Sequence, residues 1–262
     1  MRAISFRVLY GLLGIALLGT AHSLATSEPL EEMLFKANQA YKEGRFEEAC
    51  KEYEQLIKGG HKNGHLFYNL GNARFRMEEL GQAILNYERA RLFIPRDADL
   101  NFNLGYAREQ TKDAVPESRN LVSLVFFWLE SFSLNELFWG FAAFNLLFWG
   151  TVLVRRFLNA DWLYYMFIGL LVFWLIAGIS FGLKWYQLET DDRAVILSEE
   201  VHVLAGPHSQ DTVLFKLHAG TIVSQERTED GWSLVRLSEK KRGWLESEVI
   251  ETIMNSGRLE AF

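Results

Sequence analysis

The chain has 262 residues, enough for one or two domains, and 49% hydrophobic with 14% aromatic residues excludes a disordered or collagen-like polymer. A net charge of -6 argues against a nucleic-acid-binding body, because phosphate affinity rests on clustered Lys and Arg. The apolar residues gather near 8–18, 121–154 and 162–183, so polar domains joined by greasy segments are expected, as in a multidomain membrane protein. At the N-terminus, Arg2 and Arg7 precede an apolar run over 8–18, followed by the small residues Thr20, Ala21, Ser23 and Ala25. This reads as a signal peptide over 1–25 cut after Ala25, since about 11 apolar residues fall short of the ~20 that a span needs. The alternative is an uncleaved anchor helix. The single cysteine, Cys50, cannot form an intramolecular disulfide and falls at a helix position expected to be packed.

Over residues 26–112 the chain repeats itself. Asn69-Leu70-Gly71 recurs as Asn103-Leu104-Gly105, and Ala73-Arg74 as Ala107-Arg108, all 34 residues apart. Stepping back by the same interval from Ala83, Ile84 and Tyr87 gives Ala49, Cys50 and Tyr53, a weaker first copy over 30–60, with Ala37 where Gly71 stands. Phe67, Leu70, Gly71, Ala83, Tyr87, Ala90 and Pro95 follow the pattern of large, small and helix-ending residues of the tetratricopeptide repeat, which the segment resembles. Small Gly71 and Ala83 would let paired helices approach, Tyr87 and Leu70 would fill the space between them, and Pro95 would stop the second helix. The third copy supplies its first helix from Asp99 to about Gln110, expected to cap an all-α solenoid with a polar outer face.

First helices of such repeats line a concave groove. The polar residues projecting from them here are Asn38, Asn69, Asn72, Asn101 and Asn103, with Tyr41 and Phe75 one turn on. Amides donate and accept together, which suits an extended peptide backbone. Asn38 and Asn69 match the asparagines of the carboxylate clamp of some tetratricopeptide domains, but Leu34, Asp99 and Asn103 stand where its basic residues would, so carboxylate recognition of that kind is not expected.

A polar linker and an interfacial or lead-in segment over 113–136 precede an expected transmembrane helix over 137–154, begun by a capping box of Ser133 and Glu136. A turn over 155–161 carrying Arg155 and Arg156 leads to a second transmembrane helix over 162–183, with tryptophans and tyrosines near the ends. The two arginines place the turn in the cytoplasm, and with the signal peptide they place both flanking domains in the periplasm of a bacterial inner membrane. Asn145 is expected to bond across to the second helix or to another membrane protein, and Gly178 with Gly182 forms a small-xxx-small face. Gly178-Ile-Ser-Phe-Gly182 also spells a hydrolase elbow, but that motif needs a strand-turn-helix context.

From 194 to 253, short apolar runs alternate with turn residues, indicating a small all-β barrel, ahead of a tail over 254–262. The order Ala194-Val195-Ile196, Leu214-Phe215-Lys216-Leu217-x-x-Gly220-x-x-Val223, Gly231-Trp232-x-x-Val235 and Gly243-Trp244-Leu245 resembles the bacterial Src-homology-3 (SH3-like) domain. Trp232 and Trp244 read as packing residues, with a ligand surface as the alternative. His202, His208 and His218 lack carboxylates or thiols at metal spacing, and His61 and His65 lack the Glu of a zincin motif, so no metal is expected.

The order of signal peptide, repeats, two-helix hairpin and SH3-like domain resembles the BatE-like membrane proteins of the Bacteroides aerotolerance operon family. The asparagine groove and the lack of any nucleotide loop, nucleophile-base pair or metal cluster in the sequence point to a non-enzymatic scaffold without cofactors. The resemblance implies work beside von Willebrand A-type membrane proteins and a MoxR-type ATPase in envelope stress tolerance. A receptor gripping peptidoglycan through the SH3-like domain is the alternative.

Overall fold

The computed structural model describes residues 27–113, 125–158 and 160–254. The expected signal peptide, the middle of the linker with its lead-in residues 121–124, and most of the C-terminal tail lie outside them.

Five helices form the first part: α1 (Ser27–Lys42), α2 (Phe46–Lys58), α3 (Gly64–Arg76), α4 (Leu80–Phe93) and α5 (Ala98–Glu109). Their boundaries obey the 34-residue interval. Asn63 caps α3 by accepting from the Leu66 N–H at 2.9 Å, and Asp97, one interval on, caps α5 by accepting from Leu100 at 2.8 Å. The turns that end α1 and α3 both pass through the left-handed region, at Gly44 (φ 79°) and at its counterpart Glu78 (φ 63°). Ala37, Ala49, Tyr53, Leu56, Leu66, Leu70 and Ala73 form one buried cluster, and Cys50 lies inside it with Sγ 3.9 Å from Met77 Sδ. Burial pushes the Cys50 thiol up to about 11, in keeping with a packed role.

Gly71 is where α3 and α4 meet most closely, because a Cβ there would stand 2.6 Å from Tyr87 Cδ1. The equivalent Gly105 has nothing within 4 Å of its Cβ position, for no described helix follows α5 on that side. The outer face of α5 is therefore less polar than expected. Phe102 is 74% exposed.

The apolar hairpin pairs α6 (Leu134–Val154) with α7 (Asp161–Glu189), the two helices long and apolar enough to cross a membrane among the described residues. The capping box forms as expected: Ser133 Oγ accepts from the Glu136 N–H, and the Glu136 carboxylate accepts from the Ser133 N–H at 2.9 Å. Both helices run past their expected limits, α6 from 134 rather than 137, and α7 from 161 to 189 rather than 162 to 183. At 1.5 Å per residue α7 spans about 43 Å, longer than a hydrocarbon core of about 30 Å. Its extra turns are held by Leu188, which is buried against Leu134 and Met254 with Leu92 of α4 alongside.

Aromatic rings join the hairpin. Phe141 stacks on Phe181, Phe144 on Phe173 and Phe148 on Trp174, with centroids 5.3–6.2 Å apart. Asn145 Oδ1 accepts from Trp174 Nε1 at 3.1 Å, so it does bond across to the second helix. The glycine pair behaves differently from the expectation of a close-approach face. Gly178 makes room for the Phe141 ring, whereas Gly182 has nothing within 4 Å of its Cβ position. Before the hairpin, a 3-10 turn over Phe127–Glu130 leans on α7, with Trp128 Nε1 donating to Ser180 Oγ at 3.1 Å and Lys184 Nζ to the Leu129 carbonyl at 2.9 Å.

The C-terminal part is a seven-stranded antiparallel sheet: β1 (Arg193–Ile196), β2 (Glu200–Leu204), β3 (Val213–His218), β4 (Ile222–Glu229), β5 (Trp232–Ser238), β6 (Lys241–Glu246) and β7 (Ile250–Thr252), in the order β3-β2-β6-β5-β4-β1-β7. Leu217 of β3 and Ile250 of β7, from opposite ends of that order, share one core with Ile196, Val203, Val235 and Leu245, so the sheet is curled around its apolar face. The β4–β5 hairpin turns at Asp230-Gly231, both with positive φ as a tight hairpin turn requires.

The sheet docks on α4. Val195 and Ile253 belong to the same buried cluster as Ile84, Leu85 and Leu100. A Cβ on Gly81 would stand 2.5 Å from the Ile196 carbonyl, and one on Gly220 2.5 Å from Ile84 Cδ1. Arg89 donates to the Thr252 and Ile253 carbonyls at 2.8 and 3.1 Å and pairs with Glu251 at 2.7 Å. Beside it Glu88, 1% exposed, is met by Arg91, Arg108 and Arg193, from α4, α5 and β1. Asp113 closes the seam by accepting from Thr221 Oγ1 at 2.7 Å and from the His218 N–H at 2.8 Å. The helical part also reaches the hairpin, through Arg96, which pairs with Glu136 and donates to the Ser131 carbonyl.

Candidate functional site: an amide-lined groove on the helical repeats

The first helices α1, α3 and α5 present a groove. Two neighbouring cavities lie along it. One of about 280 Å³ is lined by Asn38, Tyr41, Lys42, Tyr53, Asn69 and Asn72. The other, of about 130 Å³, is lined by Tyr41, Asn72, Phe75, Arg76, Tyr87, Asn103 and Tyr106. Tyr41 and Asn72 belong to both, so the two form one furrow across the repeats.

The walls are built by one bonding pattern used twice. Asn38 Oδ1 accepts from the Tyr53 hydroxyl at 2.7 Å and from Asn69 Nδ2 at 3.3 Å. One interval on, Asn72 Oδ1 accepts from the Tyr87 hydroxyl at 2.8 Å and from Asn103 Nδ2 at 2.9 Å. Each tyrosine comes from the second helix of its repeat and pins an asparagine of the first. Each lower asparagine is in turn bridged to the next repeat. Burial pushes the Tyr53 phenol up to about 12 and raises that of Tyr87 too, so both remain donors at any physiological pH. Asn103 Nδ2 lies 3.1 Å from the Tyr68 hydroxyl, and Tyr106 stands where a third copy of Asn38 would, ending the series.

This wiring divides the amides. The carbonyls of Asn38 and Asn72 are spent within the walls, while their Nδ2 groups carry no bond to any described residue, so along the furrow these side chains act as fixed donors. Phe75 packs edge-on against Tyr106 at 5.9 Å, and Tyr41 against Phe46 at 5.4 Å, setting aromatic surface beside the amides. Of the seven groove residues expected from sequence, six are brought together. Asn101 is not: it is exposed, donates to the Pro95 carbonyl at 3.0 Å and lines neither cavity, because its side chain serves the start of α5. Sequence reasoning did not single out Lys42, Arg76, Tyr53, Tyr87 or Tyr106 as groove residues. The signal was the interval itself, since Lys42 and Arg76, like Tyr53 and Tyr87, are 34 residues apart.

The other expected surface is weaker. Trp244 is 7% exposed and covered by the Arg227 guanidinium at 5.2 Å, which makes it a packing residue, while Trp232 is half-buried. Among the described residues no group of three or more His, Cys, Asp and Glu could hold a metal ion. No protein-family model matches the chain, and no curated protein matches it.

Proposed function

We propose that the chain is a membrane-anchored, non-enzymatic scaffold whose helices are tetratricopeptide repeats, and that its groove holds an extended segment of a partner protein. The observation that carries this reading is the furrow of fixed amide donors and aromatic rings, wired identically in two successive repeats. The arrangement suits a peptide backbone, whose carbonyls recur at regular spacing. The apolar hairpin supports membrane anchoring. Arg155, held over the rings of Tyr164 and Phe167, supports a cytoplasmic turn in an inner-membrane protein of two spans, with the repeats and the curled sheet, read as an SH3-like barrel, both periplasmic. The resemblance to the BatE-like family adds von Willebrand A-type membrane proteins as partners and a MoxR-type ATPase as part of the system. A peptidoglycan-binding role for the sheet remains the second reading, with half-buried Trp232 as its support.

Affinity purification from gently solubilised membranes should recover von Willebrand A-type proteins with the full chain and lose them when residues 26–112 are deleted. An unchanged partner set overturns the scaffold reading. Retention of the protein on purified sacculi, lost on Trp232→Ala, would favour the second reading. For topology, alkaline phosphatase fused after 112 or 253 should be active and after 159 inactive; the reverse pattern would invert the protein.

A further inference from the structure

Within α1–α5 the lysines and arginines are nearly all neutralised by carboxylates: Lys36 by Glu32, Lys51 by Glu47, Lys58 by Glu54, Arg74 by Glu54 and Glu79, Arg89 by Glu251, and Arg91 and Arg108 by Glu88. The two helical cations with no acidic partner among the described residues are Lys42 and Arg76. Both are exposed, both line the furrow, and they occupy the same place in successive repeats. No acidic residue lines either cavity, so the furrow carries two positive charges on a chain whose net charge is -6. The Arg76 guanidinium is also held, 4.8 Å over the Phe46 ring, leaving its N–H edges free in a fixed orientation. Each cation sits in the last turn of its helix and complements the helix C-terminus there, but a dipole leaves the charge available to an anion.

We infer that the groove selects acidic extended segments of a partner protein, whose carboxylates meet Lys42 and Arg76 while the backbone carbonyls meet the amide donors. First helices of successive repeats lie about 10 Å apart, and an extended chain rises about 3.3 Å per residue, so the two carboxylates are about three residues apart. This inference rests on the groove reading above and adds the charge of the ligand to it.

The test uses the full chain in phosphatidylcholine nanodiscs and three fluorescein-labelled heptapeptides with blocked ends: Glu-Ser-Thr-Glu-Ser-Thr-Glu and the versions with Gln or Lys in place of each Glu. By fluorescence anisotropy the Glu peptide should bind about tenfold tighter than the Gln peptide, with the Lys peptide weakest. Added salt should erode that difference, and Lys42→Gln with Arg76→Gln should bring the Glu and Gln peptides to equal affinity. Equal binding of the Glu and Gln peptides, both lost on Asn72→Ala, overturns the charge selectivity and leaves the groove reading standing. Binding of none of the three, or binding indifferent to Asn72→Ala, overturns both. If the double variant instead loses only cosedimentation with phosphatidylglycerol vesicles, the cations serve a lipid surface and the inference fails.

Discussion

Adding one methyl group at two equivalent glycines should move stability in opposite directions. Gly71 and Gly105 are interior residues of α3 and α5, one repeat apart, and Gly→Ala in a helix interior is by itself worth about 1 kcal/mol in favour of alanine. At Gly105 nothing lies within 4 Å, so that gain stands and Gly105→Ala should stabilise by up to about 1 kcal/mol. At Gly71 the new methyl would stand 2.6 and 2.7 Å from two carbons of the Tyr87 ring and 3.3 Å from the Ala83 carbonyl oxygen, against an ordinary carbon contact of about 3.5–4.0 Å. Tyr87 is 1% exposed and cannot yield freely, and its hydroxyl bond to Asn72 goes if the ring shifts. Overpacking costs about 1–3 kcal/mol and the bond about 1 kcal/mol more, so Gly71→Ala should destabilise by about 1–3 kcal/mol net. Denaturant unfolding of the full chain in detergent, followed by helical circular dichroism, reads both. A Gly71→Ala protein as stable as the parent, or a Gly105→Ala protein equally weakened, would refute the packing argument.

Three further outcomes are expected. Glu78→Gly should stabilise by about 0.5–1 kcal/mol by relieving a left-handed residue where the preceding repeat already has Gly44, read as a higher midpoint in the same unfolding experiment. Cys50, buried and with its thiol held at about 11, should stay unlabelled by Ellman's reagent at pH 8 in the native protein and react fully once denatured; rapid native labelling would contradict its packing. Desolvation alone would raise the Asp113 carboxyl, but hydrogen bonds from Thr221 and from the His218 N–H and ring together hold it below the ordinary carboxylate range. A depressed folded-state pKa gives stability that is complete above the unfolded value and lost as pH falls through the folded one. Proteolytic nicking at the seam between α5 and the sheet should therefore rise below about pH 4 and be flat from pH 5 to 8, and Asp113→Asn should remove that step.

Local and periodic features were legible before the structure. The 34-residue interval marked two helical repeats and the first helix of a third, expected from Asp99 to about Gln110 and found over Ala98–Glu109, because large and small residues recur with it. Ser133 and Glu136 marked the start of α6, and short apolar runs marked the strands. Long-range contact was not legible. Gly81 and Gly220 are ordinary turn and helix-start residues in sequence, and only the docking of β1 and the turn before β4 on α4 shows why neither tolerates a side chain. The end of α7 was misplaced for the same reason: Lys184 looks like a boundary, yet Leu188 is buried by residues from α6 and the far end of the chain. In the groove, residue type identified the asparagines, but which of their atoms remain open was set by Tyr53 and Tyr87 on other helices.

Helix α4 touches the groove helices α3 and α5, the sheet and the hairpin. Its Tyr87 and Ala83 carry the groove helix α3, its Arg89 and Gly81 hold the sheet, and its Leu92 reaches the hairpin. An axle with three wheels keyed to it turns all of them or none, and Glu88, met by Arg108 of α5 and Arg193 of β1, is the key between the helices and the sheet. In the scaffold proposed above, a peptide seated in the groove is thereby presented at a set height and angle to the hairpin. On that proposal, whatever the peptide is attached to inherits an orientation to the membrane without touching it.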